Sequence, residues 1–171
     1  MTTERTAPIR KSVTVRATPA RAFAIFTDDM DSWWPRSHHI GKTPLESMRI
    51  EGRSGGRCYS QHEDGTECDW GTVLMWEPPR RLVLAWQVST TWQTEPDLAK
   101  SSEVEVTFTA LDGGLTRVDL EHRHLDRVGA DAAAYRAALD SPTGWDGLLV
   151  AFAARASERA GASSSPAPVS S

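Results

Sequence analysis

No stretch of this sequence approaches the roughly 20 consecutive apolar residues that a membrane-crossing helix needs. The opening Met1-Thr2-Thr3-Glu4-Arg5 also lacks the apolar centre of a secretory signal. These absences point to a cytoplasmic protein without membrane insertion. Cysteine is scarce, with two residues, Cys58 and Cys68, on either side of the turn signal Asp64-Gly65. A two-residue hairpin there pairs Cys58 with Gly71 and Cys68 with Gln61, on opposite faces of the strands. That register excludes both a disulfide and a shared metal. Charge of one sign is not in excess either: 19 Lys and Arg against 23 Asp and Glu leave a formal net charge of −4. Nothing broad attracts a phosphate backbone, and nucleic acid is not expected as a partner. Gly-x-Ser-x-Gly, a glycine loop followed by lysine, and His-Glu-x-x-His are all missing. The sequence therefore announces no cofactor and no nucleophile, and the reading leans away from an enzyme.

What is present is patterning. Ile9 to Arg16 alternates Ile9, Val13 and Val15 with polar residues, the period of a half-buried strand, interrupted by Lys11. Thr18-Pro19 then supplies a cap and a first-turn proline for a short helix carrying Ala22, Phe23 and Phe26 and ending near Asp28. Asp29 to Trp34 adds a further turn before Pro35. From Leu45 onward short alternating stretches predict strands over 45–51, 57–63, 66–77, 81–89, 103–110 and 115–122, separated by Gly- and Pro-rich turns. An antiparallel meander follows. Ala130 to Leu139 is helix-prone, and Ser141-Pro142 starts a second helical piece. In it Trp145, Leu148, Leu149, Phe152 and Ala156 recur at three- and four-residue steps. This apolar stripe is expected to face the sheet.

Strand, two short helices, meander and long final helix make an α+β order that closely resembles the START-like, helix-grip superfamily. More specific are Trp33-Trp34-Pro35 with His38-His39-Ile40-Gly41, Gly55-Gly56-Arg57, Asp69-Trp70-Gly71, and Glu77-Pro78-Pro79-Arg80-Arg81-Leu82 with Trp86 closing the next strand. These resemble bacterial single-domain homologues of the C-terminal domain of the activators of the 90-kDa heat-shock chaperone ATPase. The resemblance covers roughly Ile9 to Ala160. It implies a curved sheet of about seven strands around the C-terminal helix, with a pocket between them. Residues 1–8 are then a flexible N-terminus and 161–171 a disordered tail.

Seven tryptophans stand out, and each large ring demands burial and a partner for its indole N–H. On the 66–77 strand, Cys68, Trp70, Thr72, Leu74 and Trp76 share one face, and periodicity leaves open whether that face lines the pocket. Leu82, Leu84, Trp86 and Val88 are expected to point inward, as are Val104, Val106, Phe108, Val118 and Leu120, with His122 in the same parity. Glu103 and Glu105 belong to the solvated face, and His62 is assigned to a hairpin tip without a chemical role. The primary reading is a domain that binds a hydrophobic or aromatic small molecule. Trp34, Trp70, Trp86 and Trp145 supply its wall, while His38, His39, Arg57 and His122 are the candidates to orient a polar group. His38 and His39 are adjacent and point apart in an extended segment, so they do not form a metal site together. A second reading is an interaction protein that modulates a chaperone, which asks for a filled core. A third is a polyketide cyclase-like enzyme, for which His122 is the inward acid or base. Trp92, in the irregular stretch 90–100, is an exposed aromatic suited to a contact or a lid.

Overall fold

A computed structural model describes residues 7–35, 38 and 43–164, the stretch 158–164 as backbone only. The alternating stretches become seven strands: β1 (Ile9–Val15), β2 (Leu45–Ile50), β3 (Arg57–His62), β4 (Glu67–Glu77), β5 (Arg81–Trp86), β6 (Ser102–Ala110) and β7 (Thr116–Arg123). They form one antiparallel sheet in the order β1-β7-β6-β5-β4-β3-β2. Two short helices, α1 (Pro19–Thr27) and α2 (Met30–Trp33), carry the chain from β1 to β2 at the opposite edge. Thr18 caps α1, its Oγ1 accepting from the Arg21 amide at 3.3 Å. After β7 come α3 (Ala132–Leu139), a wide kinked turn over Pro142–Asp146, and the long helix α4 (Gly147–Ser164). This is the helix-grip arrangement that the resemblance implies. Helix α4 continues past Ala160, while residues 1–6 and 165–171 of the expected termini lie outside the described residues.

The stripe is buried as its spacing requires: Trp145 of the kinked turn and Leu148, Leu149, Phe152 and Ala156 of α4 all lie in the core. Each large apolar side chain so placed contributes about 1.5–3 kcal/mol. Phe152 meets Phe26 of α1 at 5.1 Å between ring centres and Trp33 of α2 at 5.5 Å. These edge-on contacts tie the short helices to the long one. Lys11, the polar interruption in β1, reaches Asp140 at 2.6 Å, just before the kinked turn, and Asp146 at 3.0 Å, its last residue. On the outer face of the sheet Arg123 pairs with Glu103, Glu105 and Glu121, and Arg81 also pairs with Glu105. Burial raises the Glu105 carboxyl, but the two guanidiniums outweigh it and hold the group below the usual carboxylate range. The face expected to be solvated is instead an ion-pair lattice with partly covered side chains.

Two departures from strict alternation shape the sheet. The β3–β4 hairpin turns through three residues rather than two: the His62 amide donates to the Thr66 carbonyl, and Gly65 takes φ +88°. Cys68 therefore opposes Ser60, not Gln61, although Cys58 still opposes Gly71. The difference is absorbed by a bulge at Trp70, the extra residue between Asp69 and Gly71. The expected placing of the thiols on opposite faces is thus corrected: the new register puts Cys68 on the face of Ser60 and Cys58, diagonal to the latter, and both thiols are free. A second bulge at Leu74 shifts the pairing with β5. The five-residue face anticipated for this strand consequently does not exist. Trp70, Gly71, Val73 and Trp76 turn to the core side, while Leu74 is exposed. Gly71 is required at the first bulge, because a Cβ there would lie 2.6 Å from the Ala85 carbonyl oxygen.

Candidate functional site

Between the bulged strands and the helical end of the chain lies a cavity of about 340 Å3. Its wall is contributed by Met48 of β2, Ser60 of β3, Trp70 of β4, and Trp86 and Val88 at the end of β5. Leu139 of α3, Thr143 and Gly144 of the kinked turn, and Leu148 of α4 close the other side. Trp34, His38 and Trp92 complete it. The volume falls at the lower end of the range for small-molecule sites. Gly144 is needed for the walls to meet: a Cβ there would sit 2.2 Å from the Leu139 carbonyl oxygen.

Aromatic rings line up toward this cavity. Trp34 stacks on Trp70 at 6.1 Å with an interplanar angle of 17°, and Trp70 meets Trp86 edge-on at 5.7 Å. The bulge is what turns Trp70 into this position. Its indole nitrogen is buried and has no hydrogen-bond partner among the described residues, and the same holds for Trp86. Trp86 lies near the Tyr135 hydroxyl without a bond of acceptable geometry, that hydroxyl donating instead to the Val88 carbonyl. An unpaired buried N–H costs about 1–3 kcal/mol, so an indole left this way on a cavity wall is a donor awaiting an acceptor.

His38 helps to close the cavity. Its Nε2 donates to the Thr143 carbonyl at 2.7 Å, and its own carbonyl accepts from Trp34 Nε1 at 2.6 Å. These bonds tie the segment after α2 to the kinked turn. Trp92 lines the cavity while remaining 44% exposed. Its φ of 62° is costly for a residue with a side chain, and its ring packs on Tyr135 at 5.2 Å.

His122 and Trp145 form a layer behind Trp86 rather than part of the wall. His122 is fully buried. Trp145 Nε1 donates to His122 Nδ1 at 2.9 Å, so this nitrogen is unprotonated, and Nε2–H donates to Ser102 Oγ at 2.7 Å. Burial away from any compensating charge lowers the imidazole pKa to about 3. Both nitrogens are committed and the ring is neutral. Arg57 lies on the outer face, bound to Asp69 at 2.6 Å and Glu67 at 3.0 Å with its guanidinium over Tyr59. It is not a lining residue, and His39 lies outside the described residues.

Four of the expected site residues, Trp34, His38, Trp70 and Trp86, thus meet at the cavity. Sequence reasoning missed Ser60 and its neighbour His62, which is buried rather than at a hairpin tip. The signal was the run Cys58, Ser60 and His62 at alternate positions of one strand, which shares a single face. Among the described residues no three His, Cys, Asp or Glu side chains converge as metal ligands, and no helix is long and apolar enough to cross a membrane.

The fold and cavity define a START-like domain of the ligand-binding kind. The chain belongs to the family of Activator of Hsp90 ATPase homolog 1-like proteins, which it matches over residues 16–155. Among solved structures it is similar to the anthrahydroquino-gamma-pyrone synthase Txn09, complexed with SUM. That match has 41% identity and a TM-score of 0.62, covering 85% of this chain and 94% of the other. It is also similar to the self-sacrificing resistance protein CalC from Micromonospora echinospora, at 31% identity and a TM-score of 0.63, covering 91% and 97% of the two chains. CalU16 from the same organism shares the fold at 20% identity and a TM-score of 0.55. No curated protein sequence matches the chain.

Proposed function

We propose that this protein binds a planar, polycyclic aromatic compound of the polyketide type in the tryptophan-walled cavity, as a substrate for ring formation. The observation that carries the reading is Trp70: a stacked, bulge-presented indole whose buried N–H has no partner among the described residues. A flat ligand would lie against the Trp34, Trp70 and Trp86 rings, and a ligand carbonyl oxygen would accept from the waiting indole. The 41% identity to a synthase named for an anthrahydroquinone-fused pyrone supports this substrate class. A chaperone-modulating role asks for a filled core, and a cavity of about 340 Å3 speaks for the small molecule instead.

The test is tryptophan fluorescence titrated with 2-hydroxyanthraquinone, a three-ring carbonyl compound, against parent protein and Trp70→Phe. Saturable quenching is expected in the parent. In the variant, which keeps the ring but not the donor, affinity is expected to fall about tenfold, the equivalent of one hydrogen bond. Absence of saturable quenching in the parent would refute the proposal.

A further inference from the structure

Among the described residues two serine–histidine pairs are buried, and their protons run in opposite directions. In the pair behind Trp86, Trp145 donates to His122 Nδ1, so His122 must donate to Ser102. In the pair on β3, His62 Nδ1 lies 3.0 Å from the Thr43 carbonyl oxygen. A carbonyl only accepts, so Nδ1 carries the proton and Nε2 carries the lone pair. Ser60 Oγ lies 2.8 Å from that lone pair, closer than the 3.4 Å separating it from the Cys68 carbonyl. Ser60 therefore donates its proton to His62, and its oxygen is left as an acceptor. Ser60 belongs to the cavity wall, whereas Ser102 does not.

The surroundings favour an acceptor here. Ser60 and His62 are each 1% exposed, so water does not compete for the pair. Cys58, on the same face of β3, is held as a neutral thiol because burial pushes its pKa far up. Cys68, opposite Ser60, is also raised by burial. Of the charged groups of this hairpin, Arg57, Glu67 and Asp69 pair with one another on the outer face, and Glu63 and Asp64 are exposed in the turn, where Asp64 accepts from Thr66. Trp70, two residues beyond Cys68 on the neighbouring strand, adds its unpaired N–H to the same wall.

We infer that Ser60, backed by His62, is the proton acceptor for an acidic hydroxyl of the bound aromatic compound, with the Trp70 indole stabilising the oxyanion that forms. The inference rests on the reading of the cavity given above. The ligand O–H bond breaks and its proton passes to Ser60 Oγ, while the proton of Ser60 passes to His62 Nε2. The resulting imidazolium keeps its Nδ1–H on the Thr43 carbonyl, and the ligand becomes a phenolate. In a ring closure, that oxygen forms a bond to an unsaturated carbon conjugated with a carbonyl, and the neighbouring carbon recovers the proton from His62 through Ser60. The sequence is an isomerisation, balanced without oxidant, reductant or added reactant. Ser60 touches the substrate, and His62 acts through it.

The experiment separates binding from ionisation. 2-Hydroxyanthraquinone reports binding by tryptophan quenching and ionisation by the colour of its phenolate. Bound spectra are compared at saturation, so altered affinity does not enter. In the parent, the phenol of the bound dye is expected to ionise at least about one pH unit below the free dye. In Ser60→Ala, and independently in His62→Gln, the bound dye is expected to stay protonated at that pH. A parent complex in which the dye titrates as it does in water overturns the inference and leaves the binding reading intact. So does ionisation retained by a variant that melts like the parent. Failure of the parent to quench removes the binding reading and this inference with it.

Discussion

Acid should weaken this protein well before its carboxylates titrate, because of one histidine. His122 has an imidazole pKa of about 3 in the folded chain against an ordinary 6.5. The folded value is the depressed one, so the unfolded chain binds the extra proton as pH drops. Stability is fully present above about 6.5 and is lost as pH falls toward the folded value. Between pH 7 and pH 5 the loss from this group is about 2 kcal/mol, since each pH unit below the unfolded pKa contributes about 1.4 kcal/mol. Any folded value of about 4 or below leaves the ring neutral at pH 5, so the loss over this interval is set by protonation of the unfolded chain. The comparison variant is His122→Gln, whose amide oxygen can accept from Trp145 while its NH2 donates to Ser102. Urea unfolding followed by tryptophan fluorescence at pH 7, 6 and 5 gives both stabilities. The parent is expected to lose about 2 kcal/mol more than the variant over this interval. Equal losses would mean that His122 is reached by solvent or charge in the folded state, and the buried-network account would fail.

Three further outcomes follow from the same geometry. Gly144→Ala drives a methyl into the Leu139 carbonyl and is expected to cost about 2–4 kcal/mol, read as a lowered melting temperature; unchanged melting would refute the close approach. Cys58 is fully buried with its thiolate disfavoured, and Cys68 is partly exposed, so iodoacetamide on the native protein should add a single label, at Cys68, by intact and peptide mass. Labelling of both thiols at similar rates would contradict the buried register of β3. Trp70→Phe removes the unpaired N–H, so without ligand its stability should match or exceed the parent's while its affinity falls; a loss above about 1 kcal/mol would show that the nitrogen is already satisfied.

The fold was legible because its signals are repeated along the chain. Strand alternation, the Thr18-Pro19 and Ser141-Pro142 starts, and the stripe from Trp145 to Ala156 each point to the same architecture. The pocket was legible only in part. Trp34 and Trp86 follow from parity and position, but the placing of Trp70 depends on a bulge, and alternation carries no information about where a strand gains an extra residue. His62 was concealed by its nearness to the Asp64-Gly65 turn, although its parity with Cys58 and Ser60 turns it inward whichever loop closes the hairpin. Arg57 shows the converse failure. Its cationic side chain reads as a ligand anchor, yet it stands on the face where Asp69 and Glu67 neutralise it.

These errors share a cause that bears on how the molecule works. At one end of the core Phe23, Phe26, Phe108, Trp33, Trp76 and Phe152 pack ring against ring at 5.0–6.1 Å. There pattern and packing agree for Phe23, Phe26, Phe108 and Phe152, while the bulge at Leu74 sets the face of Trp76. At the other end the chain departs from regularity four times: the bulge at Trp70, the positive φ of Trp92, the kink at Gly144 and the unpaired indoles. Each departure costs stability on its own, by up to about 3 kcal/mol for strain or an unpaired donor. All four border the same cavity. A fold selected for stability alone would fill that space and pair those donors. Their concentration there means that the aromatic cluster supplies the stability that lets the cavity end remain strained and unsatisfied until a ligand enters.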